Sequence, residues 1–480
     1  MKIKQLFTFL SFFYALTLAA QLPPPYIQTT FQTEIDAVRD AFLQQNNILI
    51  PGIIVKMEKV GQWTQTWTSG SAIATGQQTL LGDEKFRIGL NSEMFVAVAI
   101  MKMVDNNQIT LSDPITTWLP PAITVLIPNA ATMTVKNLLQ HNSNIAEYYY
   151  VQTVNGVPVA SPLSIDYLTS NYLNYYTFNT IMNNWFDGSL SSGLPGSNLA
   201  FTGTDYLLLG EIIKNCTGQS WQQYITQNII QPLNLANTSC IADNEITIPA
   251  NFLNAYGQPG DPSIVPPVLF DNLVQNFSVY GAASGVISNV GDLITFWKAV
   301  RNGQVLSATS TTLLQTCDVF QDNDPTASAG VGLGCLEQNQ DRKWIGTELQ
   351  GSNQQSAVYY FKTLNAYVSV AVNTDLLPPS IPISLLQQII ELYESTLSTN
   401  TYSQKDFSLF PNPVLDSFTI GYKENNTAQI KILDLTGRVV RQIDNSTFNA
   451  PINVAGLQKG TYLVEILSDG QKIVKEIVKE

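Results

Sequence analysis

Hydrophobic and polar positions follow different rhythms along the chain. In Phe95-Val96-Ala97-Val98-Ala99-Ile100-Met101-Lys102-Met103-Val104 apolar residues crowd nearly every face of a 3.6-residue period, which predicts a buried helix. Tyr206-Leu207-Leu208-Leu209-Gly210-Glu211-Ile212-Ile213 predicts another, closed by Gly218 just past its last turn. Val358-Tyr359-Tyr360-Phe361 and Tyr367-Val368-Ser369-Val370-Ala371-Val372 predict two strands paired across Leu364-Asn365. Helices and strands mixed in this way predict a sheet with helices packed around it, α+β or α/β. Beyond residue 400 the pattern becomes alternation, Ile430/Ile432 and Tyr462/Val464/Ile466, punctuated by turns at Pro411-Asn412-Pro413, Thr436-Gly437, Lys459-Gly460 and Asp469-Gly470. Short strands spaced by such turns predict a small all-β sandwich.

The first twenty residues have their own pattern. Lys2 and Lys4 precede an apolar stretch opening at Leu6, and Ala19-Ala20 supply the small residues that suit signal peptidase. About 15 apolar residues fall short of the roughly 20 a spanning helix needs, and no later stretch reaches that length. Residues 1–20 are therefore expected to be a cleaved signal peptide, which sends the protein out through the periplasm. The polar stretch Leu397–Lys405 predicts a linker over 397–406, between a large domain at 21–396 and a tail at 407–480. Charge supports the division. Residues 401–480 hold nine basic and nine acidic side chains, whereas 21–400 hold 13 basic and 28 acidic.

The whole chain is 45% hydrophobic and only 13% charged, with a net charge of −13, enough apolar material for a packed core and too acidic for a phosphate backbone. Nucleic acid is excluded as a partner on that ground. Cys216, Cys240, Cys317 and Cys335 allow three disulfide pairings; short loops favour Cys216–Cys240 and Cys317–Cys335, with free buried thiols nearly as well supported. With no Cys-x-x-Cys pair and one histidine, His141, a zinc site is not expected, and no cofactor is implied.

Several stretches of residues 32–395 resemble the serine β-lactamase and penicillin-binding-protein superfamily, in its class C and esterase-like branch. They include Phe86-Arg87-Ile88-Gly89 ahead of the apolar helix, Leu111-Ser112-Asp113-Pro114, Leu138-Leu139-Gln140-His141-Asn142-Ser143, Pro195-Gly196, Pro232-Leu233-Asn234-Leu235 and Gly285-Val286-Ile287-Ser288-Asn289. The resemblance implies an α+β domain with an antiparallel sheet flanked by helices and a helical subdomain. Phe410-Pro411-Asn412-Pro413, Leu433-Asp434-Leu435-Thr436-Gly437-Arg438 and Lys459-Gly460-Thr461-Tyr462 resemble the C-terminal sorting domain that Bacteroidota proteins present to the type IX secretion machinery. That resemblance makes 407–480 an address and places the protein outside the cell or on its outer surface.

In the superfamily a Ser-x-x-Lys at a helix start sets nucleophile and base on one helical face. A Tyr-x-Asn relays protons, and a Lys/His-x-Gly strand polarises the substrate carbonyl. The ungapped match puts Leu90 at the serine and Glu93 at the lysine, and Phe201-Thr202-Gly203 at the second motif. Trp344-Ile345-Gly346 is the best candidate for the third, with neither Lys nor His. No Ser-x-x-Lys exists anywhere in the chain. Two functions stay open. One is a non-catalytic binder or scaffold holding a peptide, glycan or partner protein in the cleft; the other is a hydrolase of β-lactamase, D-alanyl peptidase or esterase type with a displaced nucleophile such as Ser92. Ser92 lies about 200° around the helix from Leu90, and Glu93 gains from the helix dipole in the first turn. His141 is expected to make a structural hydrogen bond. Residues 148–187 hold ten aromatics, predicting either core packing or a stacking wall for a glycan or peptide.

Overall fold

The computed structural model of the chain describes residues 22–480 apart from 47–48, 75, 77, 149–152, 155–156, 159–172, 242–244, 258–269, 272–275, 317–318, 321–328, 332, 334–336, 340–343, 352–353, 375–384, 386–388, 392, 394–406, 423–426, 435–437 and 469–470. The expected signal peptide and linker, Cys317 and Cys335 fall outside the described residues. Two compact units emerge, divided between Gln387 and Gln388.

The first unit opens with α1 (Pro25–Asn46), which buries Ile27, Phe31 and Ile35, one residue per turn on a single face. Phe31 meets Trp67 with ring centroids 5.0 Å apart, docking α1 onto a hairpin of β1 (Gly52–Lys59) and β2 (Trp63–Gly70). Short strands β3 (Val319–Phe320), β4 (Ala329–Val331) and β5 (Glu337–Asn339) lead into β6 (Trp344–Gly351), β7 (Gln354–Phe361) and β8 (Ala366–Val372). All pair antiparallel in the order β3-β4-β5-β6-β7-β8-β1-β2, so the unit's early and late strands meet where β1 lies beside β8. The predicted strand pair is β7–β8, and Asn365 in its turn takes φ +47°, a conformation asparagine tolerates.

Helices cover this sheet. The buried helix expected around Phe95 is α2 (Ser92–Asp105), in which every residue from Met94 to Met101 is buried. The second expected helix is α3 (Gly203–Thr217), ended by Gly218 at φ +72°, the left-handed position its sequence announced. Farther on, α4 (Val290–Arg301) packs on β8, β1 and β7, and Phe296 stacks on Phe95 of α2 at 3.9 Å. Lys298 pairs with Glu58 of β1, and the Arg301 guanidinium sits 3.5 Å from the centre of the Tyr360 ring. The resulting architecture is α+β.

The tail unit has two antiparallel sheets. Ser408–Phe410, Ser417–Gly421 and Pro451–Asn453 form one; Val439–Thr447, Thr427–Leu433, Gly460–Ser468 and Gln471–Lys479 form the other. The alternating residues Ile430, Ile432, Tyr462, Val464 and Ile466 all enter its core with Phe418 and Ile420.

Among the cysteines, the expectation of a Cys216–Cys240 disulfide is corrected: both thiols are free. Cys216 lies near the Gln108 carbonyl, 3.7 Å away, and burial pushes the Cys240 thiol up to about 12. Cys240 therefore behaves as a small apolar residue.

Candidate functional site

The start of α2 is built by short-range bonds. The strand Phe86–Arg87 pairs with Val286–Ser288, the Ile88 N–H donates to the Val286 carbonyl at 3.1 Å, and the chain then makes a single 3-10 turn over Gly89–Asn91. Asn91 fixes that turn to the sheet, donating from Nδ2 to the Ser356 carbonyl at 3.0 Å and to its Oγ at 2.8 Å. Leu90 is half-buried here and packs against the main core. Ser92, the fallback nucleophile, is wholly buried, and its Oγ accepts the Val286 N–H at 3.1 Å. That hydroxyl faces the protein interior, as its helical offset from Leu90 requires.

Glu93 stands one turn from Leu90 and is buried with its carboxylate 3.1 Å from His141 Nε2. His141 follows a short helix, Val135–Leu139, whose start is closed by a capping box between Thr134 and Asn137. Its backbone is left-handed, φ +50°, the only residue other than Asn or Gly so placed among the described residues. Its other nitrogen, Nδ1, lies 3.3 Å from Asp205 Oδ2 in the first turn of α3, and 3.3 Å from the Thr202 N–H. The sole imidazole is thus held between two buried carboxylates, more than the single structural bond expected of it. Burial pushes the Asp205 carboxyl up to about 6, against the opposing pull of His141 and a hydrogen bond from Ser143, with the nearby Glu93 charge adding to the rise. A Thr202 N–H aimed at Nδ1 requires a lone pair there. The two carboxylates thus approach the imidazole from its two nitrogens, Glu93 at Nε2 and Asp205 at Nδ1. Asp205 was not among the residues singled out from sequence. Its signal was an acid inside Gly203-Thr204-Asp205-Tyr206-Leu207-Leu208, a run that could only be buried.

The second expected stretch closes over this cluster. The Phe201 ring lies 5.1 Å from the imidazole and is 50% exposed, so it forms the outer lid of His141. Tyr206 approaches the same ring, also at 5.1 Å, and its hydroxyl donates to the Leu139 carbonyl. The Gly203 N–H donates to Glu147 Oε2 at 2.5 Å. Leu90, Ser92 and Glu93 therefore share one helix start, and Phe201 and Gly203 reach it through His141.

Trp344 and Gly346 do not join them. β6 runs beside the Gly89–Asn91 turn, but its register sets Leu349 opposite Ser356, the residue that Asn91 grips. Trp344 pairs with Phe361, five residues along, or about 17 Å away on an extended strand. The stretch level with the helix start is Leu349-Gln350-Gly351. It ends in glycine, as a Lys/His-x-Gly strand does, and carries neither Lys nor His.

Residues 40–381 match the family model described as Beta-lactamase. The chain belongs to the beta-lactamase family. Solved structures with this fold include the D-stereospecific amidohydrolase from Streptomyces sp., 20% identical with a TM-score of 0.61, covering 77% of this chain and 98% of that one. The D-amino acid amidase from Ochrobactrum anthropi is 18% identical with the same TM-score, covering 78% of this chain and all of the other. Among sequence relatives, protein flp of Staphylococcus aureus is 28% identical over 210 residues, 43% of this chain and 38% of its own length. The chain thus spans about two fifths of that relative. Residues 408–480 match the secretion system C-terminal sorting domain, so this beta-lactamase family member is a type IX cargo, exported to the cell surface or beyond it. No helix among the described residues is long and apolar enough to cross a membrane.

Part of the aromatic segment takes the expected core-packing role. Tyr148, Trp185 and Phe186 are core residues, and Trp185 meets Tyr176 edge-on at 4.9 Å. Tyr175 is exposed, whereas Tyr149, Tyr150, Tyr167 and Tyr172 lie outside the described residues.

Proposed function

We propose that this exported beta-lactamase family member is a non-catalytic serine hydrolase fold that binds in its cleft rather than acylates there. We further propose that residues 1–20 are its signal peptide and that it comes from a Bacteroidota cell. The observation that carries the proposal is Leu90 in the turn that opens α2, at the position matching the serine of the family's Ser-x-x-Lys, with Glu93 one turn on instead of a lysine. Leucine has no nucleophilic atom, and the Glu93 carboxylate is already engaged by His141. Removing a serine nucleophile elsewhere costs about 10⁶-fold in turnover, or about 8 kcal/mol of barrier. Phe201, lacking a phenol hydroxyl, has no proton to relay. Ser92 supports the same conclusion, since an incoming acyl carbon would have to displace the Val286 bond inside a sealed core.

The missing nucleophile and base are side chains, so their loss removes acylation without itself removing a cleft for an amide or peptide. The amidohydrolase and amidase with this fold are D-specific by name, and a D-aminoacyl peptide is accordingly the ligand class proposed for it. Intact-mass spectrometry of the purified protein after exposure to a penicillin and to a fluorophosphonate tests the central point. Folded protein is expected to show no adduct with either reagent. A stoichiometric adduct that disappears in Ser92→Ala would overturn the proposal and make the protein a hydrolase with a displaced nucleophile.

A further inference from the structure

One concavity shares none of the residues discussed above as catalytic positions. It is a groove of about 270 Å³ bordered by α3, the Trp221–Ile225 helix and the turn Phe277–Val279. That volume sits at the lower end of small-molecule sites and suits one ring-sized group. Trp221 is one of its lining residues. Gly210 and Gly285 make room for the indole: a Cβ on Gly285 would come within 2.6 Å of the Trp221 ring, and one on Gly210 within 3.3 Å. The indole is thus pressed onto bare backbone while also lining the groove.

Facing it is the segment Tyr175–Phe178. The Tyr176 N–H donates to Ser278 Oγ at 2.8 Å, and the Tyr176 ring is braced edge-on by the buried Trp185, so this wall is fixed before any ligand arrives. Tyr175 stands 43% exposed at the rim. Polar residues line the same groove, Glu211, Lys214, Gln222 and Ser220, the last with its hydroxyl accepting the Gln223 N–H as a helix cap. Glu211 and Lys214 are paired at 3.0 Å, so the rim offers hydrogen bonds of both senses with no net charge.

We propose that this groove binds a neutral sugar ring, a pyranose unit of an oligosaccharide. The axial C–H face of a pyranose is apolar and packs on an aromatic face, whereas its equatorial hydroxyls need both donors and acceptors around the edge. A fixed indole with a charge-balanced polar rim supplies both. An extended peptide is less well served, because the described walls are helices and turns rather than a strand edge that could pair with its backbone. A phosphorylated ligand is also poorly served, since the cation lining the groove, Lys214, is engaged by Glu211.

Isothermal titration of the full chain with cellotetraose, chitotetraose and maltotetraose tests the assignment. At least one is expected to bind saturably, and Tyr175→Ala and Gln222→Ala to weaken it about tenfold each, the loss of one stacking or hydrogen-bonding partner. Both residues stand at the rim, so neither variant endangers the fold; circular dichroism confirms it. Val125→Ala, at an exposed site outside the groove, is expected to bind as the parent does. No binding of any of the three sugars at millimolar concentration overturns the assignment, as does binding that both rim variants leave unchanged. Neither result bears on adduct formation at the helix start, which is read separately.

Discussion

Asp205→Asn tests the buried carboxylate–imidazole–carboxylate cluster. The Asp205 carboxyl is raised from the ordinary 3.8 to about 6 by burial, so the folded protein holds a proton that the unfolded chain has already released. A group raised in this direction contributes its stability in full below about pH 3.8. It loses that contribution as the pH climbs through about 6. At about 1.4 kcal/mol for each factor of ten in proton affinity, the loss comes to about 3 kcal/mol above pH 6. The carboxamide that Asp205→Asn introduces has no proton to lose, so it carries no such penalty at any pH. The variant is therefore expected to match the parent at pH 4 and to exceed it by about 3 kcal/mol at pH 7.5. All seven tryptophans lie before residue 400, so urea unfolding followed by tryptophan fluorescence reports the large domain alone. Asp105 and Asp113, which hydrogen bonds hold below the ordinary range against the opposing effect of burial, act in parent and variant alike and cancel in the difference. A variant no more stable than the parent at pH 7.5, or a gap that does not widen between pH 4 and 7.5, would refute the raised Asp205 carboxyl.

Other outcomes follow from single contacts. Asn91→Ala is expected to cost about 1–3 kcal/mol by stranding the Ser356 carbonyl behind the helix start, measured by the same unfolding assay. Glu84 is wholly buried and accepts the N–H groups of Leu81 and Gly82, so Glu84→Ala should cost a similar amount and Glu84→Gln less. Iodoacetamide applied to native protein, followed by peptide mapping, should label the half-buried Cys216 well before Cys240, whose thiol burial holds near 12. Equal labelling of the two would contradict the packing around Cys240. Deletion of residues 407–480 is expected to leave the remaining protein in the periplasm, read by fractionation and blotting.

Much of the architecture was legible because it rests on local rules. The α2 and α3 helices are announced by apolar runs too continuous for any exposed face, the C-terminus of α3 by Gly218, and the β7–β8 pair by two β-rich runs around Leu364-Asn365. The tail core is the alternation of Ile430, Ile432, Val464 and Ile466 read directly. Long-range chemistry was harder to see. Nothing near Asp205 in sequence says that it will meet His141, because the contact depends on how a helix start and a distant loop pack. The third strand motif is hard to place for a related reason: glycine recurs at Gly346 and Gly351, and the register sets Leu349, between them, opposite the Ser356 that Asn91 grips. The free thiols of Cys216 and Cys240 were equally invisible, since loop length speaks to the entropy of closing a bridge and not to where the sulfurs end up.

The left-handed backbone at His141 also limits which substitutions the helix start can absorb. The imidazole is placed by its main chain, with its carbonyl accepting from Ala200 and its ring clamped from both sides, so it does not swing aside for a new neighbour. Replacing Glu93 by lysine would put a longer, positive side chain against the clamped ring while deleting the carboxylate that ring leans on. Replacing Leu90 by serine alone would supply a hydroxyl whose neighbour one turn away is a carboxylate already spoken for. Each step toward a Ser-x-x-Lys is thus unrewarded on its own, and the change at Glu93 is harmful. A lineage passing through this arrangement would find the way back closed to single changes, a ratchet set by one residue's φ angle.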